Sequence, residues 1–215
     1  MPHDHHDHHH KGMSSSGHPY RQDNDGALTY WQRMEIAVRE LLVEKGVMTA
    51  EEIARQIDAM DARSPANGAR VVARAWVDEA FKARLLEDAP AACAELGIDI
   101  GPLKLLVVEN TRDTHNMIVC TLCSCYPRDL LGLPPDWYKT RAYRARAVIE
   151  PRKVLREFGV DLPQDVQLRV HDSTADMRYI VLPTRPQGTE GVDEAALATL
   201  VTRDSMIGTG LPRRP

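Results

Sequence analysis

Val119-Cys120-Thr121-Leu122-Cys123-Ser124-Cys125-Tyr126-Pro127 closes an apolar run and gathers three of the chain's four cysteines within six residues. The spacings are C-x-x-C and C-x-C. Thiols this close, in a chain with so few, read as metal ligands or a redox centre rather than a disulfide framework. A spacing of three lets one tight turn aim two sulfurs at one point. The C-x-C pair adds a third and traps the Ser124 and Cys125 amides between them. The loop thus offers up to five donors, three sulfurs and two backbone nitrogens. An amide nitrogen binds metal well only after losing its proton, which demands a strong Lewis acid such as a trivalent ion. A structural zinc site wants four protein ligands, usually two separated pairs, and only Cys93 or His115 offers a fourth here. A redox dithiol usually opens a helix after a strand and needs no third cysteine. Spacing alone leaves zinc, redox chemistry and an unusual metal all open.

Outside this loop the composition is that of an ordinary globular chain. Its 215 residues are enough for one core of good size plus a smaller appendage. Hydrophobic residues make up 43% and charged residues 27%, with a formal net charge of −4, so nothing favours nucleic acid or an anionic membrane. No apolar run approaches the length needed to span a bilayer, and no signal-peptide core follows Met1. Clustered thiols suit a reducing compartment, so the expected location is cytoplasmic.

Residues 1–26 hold seven of the nine histidines and a run of serines. That composition cannot build a core, and we read it as a native disordered tail rather than an expression tag, because Asp4 and Asp7 interrupt the histidines. From Leu28 to Lys45 the apolar residues Trp31, Met34, Val38, Leu41 and Leu42 recur at helical spacing, with Gly46 where a C-terminal cap belongs. Thr49 and Glu52 form a capping box for a second helix carrying Ile53, Ile57 and Met60. A third helix is expected over about residues 69–76, and Asp78 caps a fourth. Cys93, in a short helical stretch ended by Gly97, reads as a small buried hydrophobe. After Pro102 the character turns to β, with strands at 103–108, 117–119, 166–170 and 178–182, and with Asp172 and Ser173 as turn residues. Helices are expected near Tyr143, after Pro151 and after Asp193. His115 and His171 read as surface or hydrogen-bonded histidines. Strands flanked by helices give an α+β layered class, arranged as a tail (1–26), a helical arm (27–100) and an α+β domain (101–215). No phosphate-binding glycine loop, zinc-protease helix or serine-hydrolase elbow is present.

Cys120-Thr121-Leu122-Cys123-Ser124-Cys125 resembles the metal claw of nitrile hydratase α subunits. The likeness extends over about residues 28–212. It includes Asn67-Gly-Ala-Arg-Val-Val-Ala-Arg-Ala-Trp76, Val108-Glu-Asn-Thr111, Leu131-Gly-Leu-Pro-Pro-Asp-Trp-Tyr-Lys139, Asp172-Ser-Thr-Ala-Asp-Met-Arg-Tyr179 and Val201-Thr-Arg-Asp-Ser-Met-Ile-Gly208. The resemblance implies hydration of a small nitrile to its amide at low-spin Co(III). Thr121 stands where cobalt members carry Thr and iron members Ser, so iron is the less favoured ion. By the same likeness Cys120 is an axial thiolate, Cys123 a sulfinic acid and Cys125 a sulfenic acid. The Ser124 and Cys125 amide nitrogens complete the metal's protein ligands. Cys125 is the implied catalytic residue, and the Thr121 hydroxyl is placed to bond the claw sulfurs.

The family also implies a fold of two antiparallel sheets between helices. Its activity needs a β subunit, in an αβ or α2β2 assembly, and a cobalt-insertion activator. The helical arm would embrace the partner, the partner's arginines would hold the oxidised sulfurs, and the histidine tail would gather cobalt. Two departures bear on substrate. Arg128 and Asp129 replace the usual Trp and Pro, and Gly101-Pro-Leu-Lys-Leu replaces the usual Gln-Gly-Glu. An Arg after Tyr126-Pro127 is expected of the related thiocyanate hydrolase γ subunit, where positive charge would attract thiocyanate. A zinc-stabilised subunit without catalysis is the remaining alternative.

Overall fold

The structure, a computed structural model, describes residues 27–123 and 125–215. The expected histidine-rich tail and Ser124 lie outside the described residues. The chain divides into two units, the first ending at Ile53 and the second running from Ala54 to Pro215.

In the first unit α1 spans Tyr30–Glu44. Thr29 caps it reciprocally with Gln32, at 3.3 Å to the Gln32 amide and 2.8 Å back to the Thr29 amide. Lys45 ends the helix, and Gly46 then takes the left-handed φ of +66°. No residue of α1 is buried, and Trp31 is 78% exposed. The Thr49–Glu52 capping box forms as expected, at 2.8 and 3.1 Å, and opens α2 (Ala50–Asp61).

The second unit carries α3 (Ala66–Val77), α4 (Glu79–Glu87), α5 (Ala89–Glu95), β1 (Lys104–Glu109) and β2 (Thr114–Val119). It continues with α6 (Arg128–Leu131), α7 (Asp136–Lys139), α8 (Arg141–Ile149) and α9 (Pro151–Glu157). It closes with β3 (Gln167–Asp172), β4 (Met177–Leu182), α10 (Glu194–Leu200) and α11 (Arg203–Ile207). Asp78 caps α4 by accepting from the Phe81 amide at 2.8 Å, and Asp193 caps α10 by accepting from Ala196 at 2.9 Å. Met117, Ile118 and Val119 of β2 are wholly buried, among Val71 and Val72 of α3, Leu130 and Leu131 of α6, Val181 of β4 and Ile207 of α11. Each such aliphatic side chain stabilises the fold by about 1.5–3 kcal/mol relative to exposure. Gly208, at φ +87°, ends α11 against β2, where a Cβ would strike the Asn116 carbonyl and sit 2.8 Å from the Met117 Cα.

The expected antiparallel sheets are corrected by the structure. β1 pairs with β4 and β2 with β3, both parallel, in two two-stranded sheets. The short links from β1 to β2 and from β3 to β4 reverse the chain without pairing the strands they join. β2 reaches β3 only after the helices α6 to α9, the long crossover that a parallel pair requires. β2 also lies close to β4, so the two small sheets are neighbours within one α+β unit.

Candidate metal centre

The buried strand β2 delivers the cysteine loop. Its last residue, Val119, pairs with Asp172 in the parallel register, and its carbonyl accepts from the Ser173 amide at 2.7 Å. That register brings the Asp172 carboxylate to the loop's first turn. There it accepts from the Thr121 amide at 2.9 Å and from the Thr121 hydroxyl at 2.5 Å. The Thr121 hydroxyl, expected on the sulfurs, is thus engaged by a carboxylate. Asp172, read from sequence as a turn residue, is the loop's clamp. Arg144 donates to the Thr121 carbonyl at 3.3 Å, and the Tyr138 hydroxyl donates to the Cys125 carbonyl at 3.1 Å. Tyr143 donates to the Ile118 carbonyl at 2.7 Å, so helices α7 and α8 hold the loop at both ends.

Cys120, Cys123 and Cys125 come together with all three sulfurs within 4.8 Å of one another. The Cys120–Cys123 separation is 3.5 Å and the Cys123–Cys125 separation 3.2 Å, far beyond a disulfide bond. The Cys123 amide donates to the Cys120 sulfur at 3.3 Å. Two sulfurs held about 2.3 Å from one ion lie about 3.3 Å apart at a right angle and about 3.8 Å apart at the tetrahedral angle. At 3.5 and 3.2 Å the two separations are of the size that sulfurs sharing one ion require. Among the described residues the cluster has three members. Cys93 is buried in the core, and His115 contacts the Gly208 carbonyl at 2.8 Å and Asn110 at 3.4 Å. Neither supplies the fourth ligand of a structural zinc site. His171 is also hydrogen-bonded, to Asn116 at 2.8 Å.

Exposure is graded across the cluster, with Cys120 buried, Cys125 half-buried and Cys123 exposed. Burial pushes the Cys125 thiol up to about 12, and the bonds from Cys123 and Cys120 push in the same direction, while the Arg178 charge opposes them. A bound cation reverses this balance, because thiolate ligation releases the protons. Three soft sulfurs beside loop amides therefore fit a thiophilic transition metal. Beside them opens a cleft of about 370 Å³, lined by Arg63, Leu103, Cys123, Cys125, Tyr126, Arg128, Asp129 and Arg178.

Comparison with known proteins gives a single picture. The sequence matches the family model "nitrile hydratase, alpha chain" over residues 29–210. It is 52% identical over 181 residues to the low-molecular weight cobalt-containing nitrile hydratase subunit alpha of Rhodococcus rhodochrous, covering 83% of this chain and 87% of that one. It is 43% identical over 192 residues to the thiocyanate hydrolase subunit gamma of Thiobacillus thioparus, covering 84% of this chain and 79% of the other. A solved double mutant of the Fe-type nitrile hydratase from Comamonas testosteroni Ni1 superposes with a TM-score of 0.81 at 44% identity, covering 88% of this chain and 94% of that one.

Proposed function

The chain belongs to the nitrile hydratase α-chain family, and from that premise we propose that it is the metal-bearing α subunit of a cobalt nitrile hydratase. It adds water across a C≡N bond and releases the amide. The three-sulfur cluster, whose sulfurs lie close enough together to share one ion, carries the reading. The likeness to a cobalt-containing relative and the Thr121 position favour cobalt over iron.

The sulfurs of Cys120, Cys123 and Cys125 and the backbone nitrogens of Ser124 and Cys125 hold the ion. Exposure supports a division of labour among the thiols, since oxidation follows access. Buried Cys120 would stay a thiolate, while an external oxidant such as dioxygen would carry Cys123 to the sulfinic acid and Cys125 to the sulfenic acid. When bound, Co(III) supplies the Lewis acidity that makes a nitrile carbon electrophilic. Cys125 presents its sulfenate oxygen, or a water held by it, beside that carbon. Asp172 keeps the loop in place through Thr121. Arg178, whose charge is felt at Cys125, favours the anionic oxidised sulfurs.

A β subunit completes the enzyme as αβ or α2β2, and an activator protein inserts the cobalt. The unburied apolar face of α1, with Trp31, Met34 and Val38, supports an arm at the start of the described chain that reaches for the partner, while α3 to α5 share the core that carries the cysteine loop. Among the described residues no helix is long and apolar enough to cross a membrane, and a cytoplasmic setting suits the thiols. Arg128 in the cleft supports one second reading, a thiocyanate hydrolase γ-type subunit.

The test is to co-produce the chain with its β subunit in cobalt-supplemented medium, then measure metal content, oxygen additions on the cysteine peptide, and turnover of a small nitrile and of thiocyanate. Near-stoichiometric cobalt with amide formation is expected. Zinc alone with unmodified thiols would sink the reading, and turnover of thiocyanate without any nitrile would transfer it to the second.

A further inference from the structure

The cleft beside the claw carries an unbalanced charge. Three arginines and one aspartate line it, Arg63, Arg128, Arg178 and Asp129. The carboxylate is already engaged, because Asp129 pairs with Arg63 at 3.0 Å. Backbone packing brings the two segments together. At Gly132, the residue after α6, a Cβ would lie 2.7 Å from the Arg63 carbonyl oxygen and 3.0 Å from the Ser64 Cα, so α6 ends pressed against the segment bearing Arg63. Arg178 spends one guanidinium nitrogen on the neutral carbonyls of Thr174, Ala175 (3.0 Å) and Met177 (3.3 Å), which leaves its charge uncancelled. Its Nε is buried without a hydrogen-bond partner among the described residues. Arg128, half-buried on the first turn of α6, forms no ion pair among the described residues. With Arg178 committed to the oxidised sulfurs and Arg63 to Asp129, Arg128 is left as the cleft's guanidinium whose charge nothing among the described residues cancels.

Size then narrows the class of ligand. At about 30 Å³ per water-sized group, the cleft that this chain contributes, about 370 Å³ before a partner closes over it, holds several times the volume of a three-atom anion. A longer molecule, with its reacting end at the sulfurs and its charge a few bonds away, uses both the space and the Arg128 guanidinium. Resting on the nitrile-hydrating reading above, we propose that the preferred substrates are nitriles bearing a remote carboxylate, and that Arg128 is the specificity-determining residue that receives the carboxylate. Arginine suits the task because its planar fork matches a carboxylate in a bidentate pair. The amide product keeps the carboxylate, so the consuming reaction must accept a dicarboxylic acid monoamide.

The experiment uses the cobalt-loaded complex with its β subunit and two near-isosteric nitriles, anionic cyanopropanoate and neutral cyanopropanamide. A calorimetric titration with butanoate and butanamide, which have no nitrile to react, reads binding apart from turnover. The wild type should show a KM at least roughly tenfold lower for cyanopropanoate, between the effect of an exposed and a buried charge pair. That advantage should shrink as salt is raised. Arg128→Gln should remove most of it through KM, and Arg128→Lys should retain part. Butanoate should bind measurably more tightly than butanamide to the wild type, a comparison that stands even if a variant fails to fold.

Equal handling of the two nitriles overturns the inference and leaves the nitrile-hydrating reading intact. A preference that survives Arg128→Gln overturns the assignment to Arg128. If neither nitrile is hydrated, the underlying reading fails, and butanoate binding lost in Arg128→Gln still upholds the anion site. Thiocyanate turnover without butanoate binding overturns it.

Discussion

Cys93 and Cys125 are thiols displaced in the same direction for the same first reason. Burial raises Cys93 to about 11 and Cys125 to about 12. Their neighbourhoods differ. Cys93 sits on α5 inside the apolar core, fully buried, and burial is the whole of its shift. Cys125 is half-buried at the end of a loop, and two further thiols and an arginine also act on it. The contrast teaches that a raised thiol does not mark function. A protonated thiol among apolar side chains is inert packing. One surrounded by other sulfurs is a ligand set whose protons a cation displaces.

The comparison breaks most sharply under substitution. Cys125→Ser should lower nitrile turnover by about a thousandfold or more, the scale of losing a residue that acts at the reacting atoms. Cys93→Ala should stay within about twofold of the parent, as packing changes remote from a site do. Turnover and metal content of both complexes, measured together, decide. An active Cys125→Ser enzyme would refute the sulfenate role. A smaller effect follows from Asp172→Asn, which weakens the two-pronged hold on Thr121 while leaving every sulfur in place. Metal retention against a chelator should fall roughly 10–100-fold, the usual toll for losing a group that orients ligands. Unchanged retention would reduce Asp172 to a turn residue.

That last role shows where sequence reading stops. Helix starts were legible because each depends on residues three apart, as at Thr49 with Glu52, Asp78 with Phe81 and Asp193 with Ala196. The four-residue helices α6 and α7 are too short to impose a period, so nothing in the local pattern announces them. Strand positions were legible, and strand partners were not. Two short links that look like hairpins join strands belonging to different sheets, and nothing local in Asn110–Asp113 or Ser173–Asp176 says so. The clamp depends on that hidden pairing, because only the Val119–Asp172 register sets the carboxylate beside Thr121. A slip of one residue would turn Asp172 to the other face. The sulfurs themselves needed no such knowledge, since a spacing of six residues confines them to one loop whatever the sheets do.

The smallest expected effect tests the other half of the comparison, the claim that Cys93 is only packing. Its folded value of about 11 lies above the ordinary 9.0, so the folded state holds the proton after the unfolded chain has released it. The stability this confers is fully present below about pH 9 and is lost as the pH rises through about 11. A displacement of this size corresponds to at most about 2–3 kcal/mol. Cys93→Ala cannot show that loss, because it has no thiol to ionise. Urea unfolding of parent and variant, each below pH 9 and again near pH 11, isolates the difference. Contributions from the rest of the molecule are common to both proteins and cancel, since Cys93 lies apart from the sulfur cluster. The parent should lose about 2 kcal/mol more than the variant over that interval. Equal losses would mean that the Cys93 thiol ionises freely in the folded protein, and that its place in the core is less tight than the packing of α5 implies.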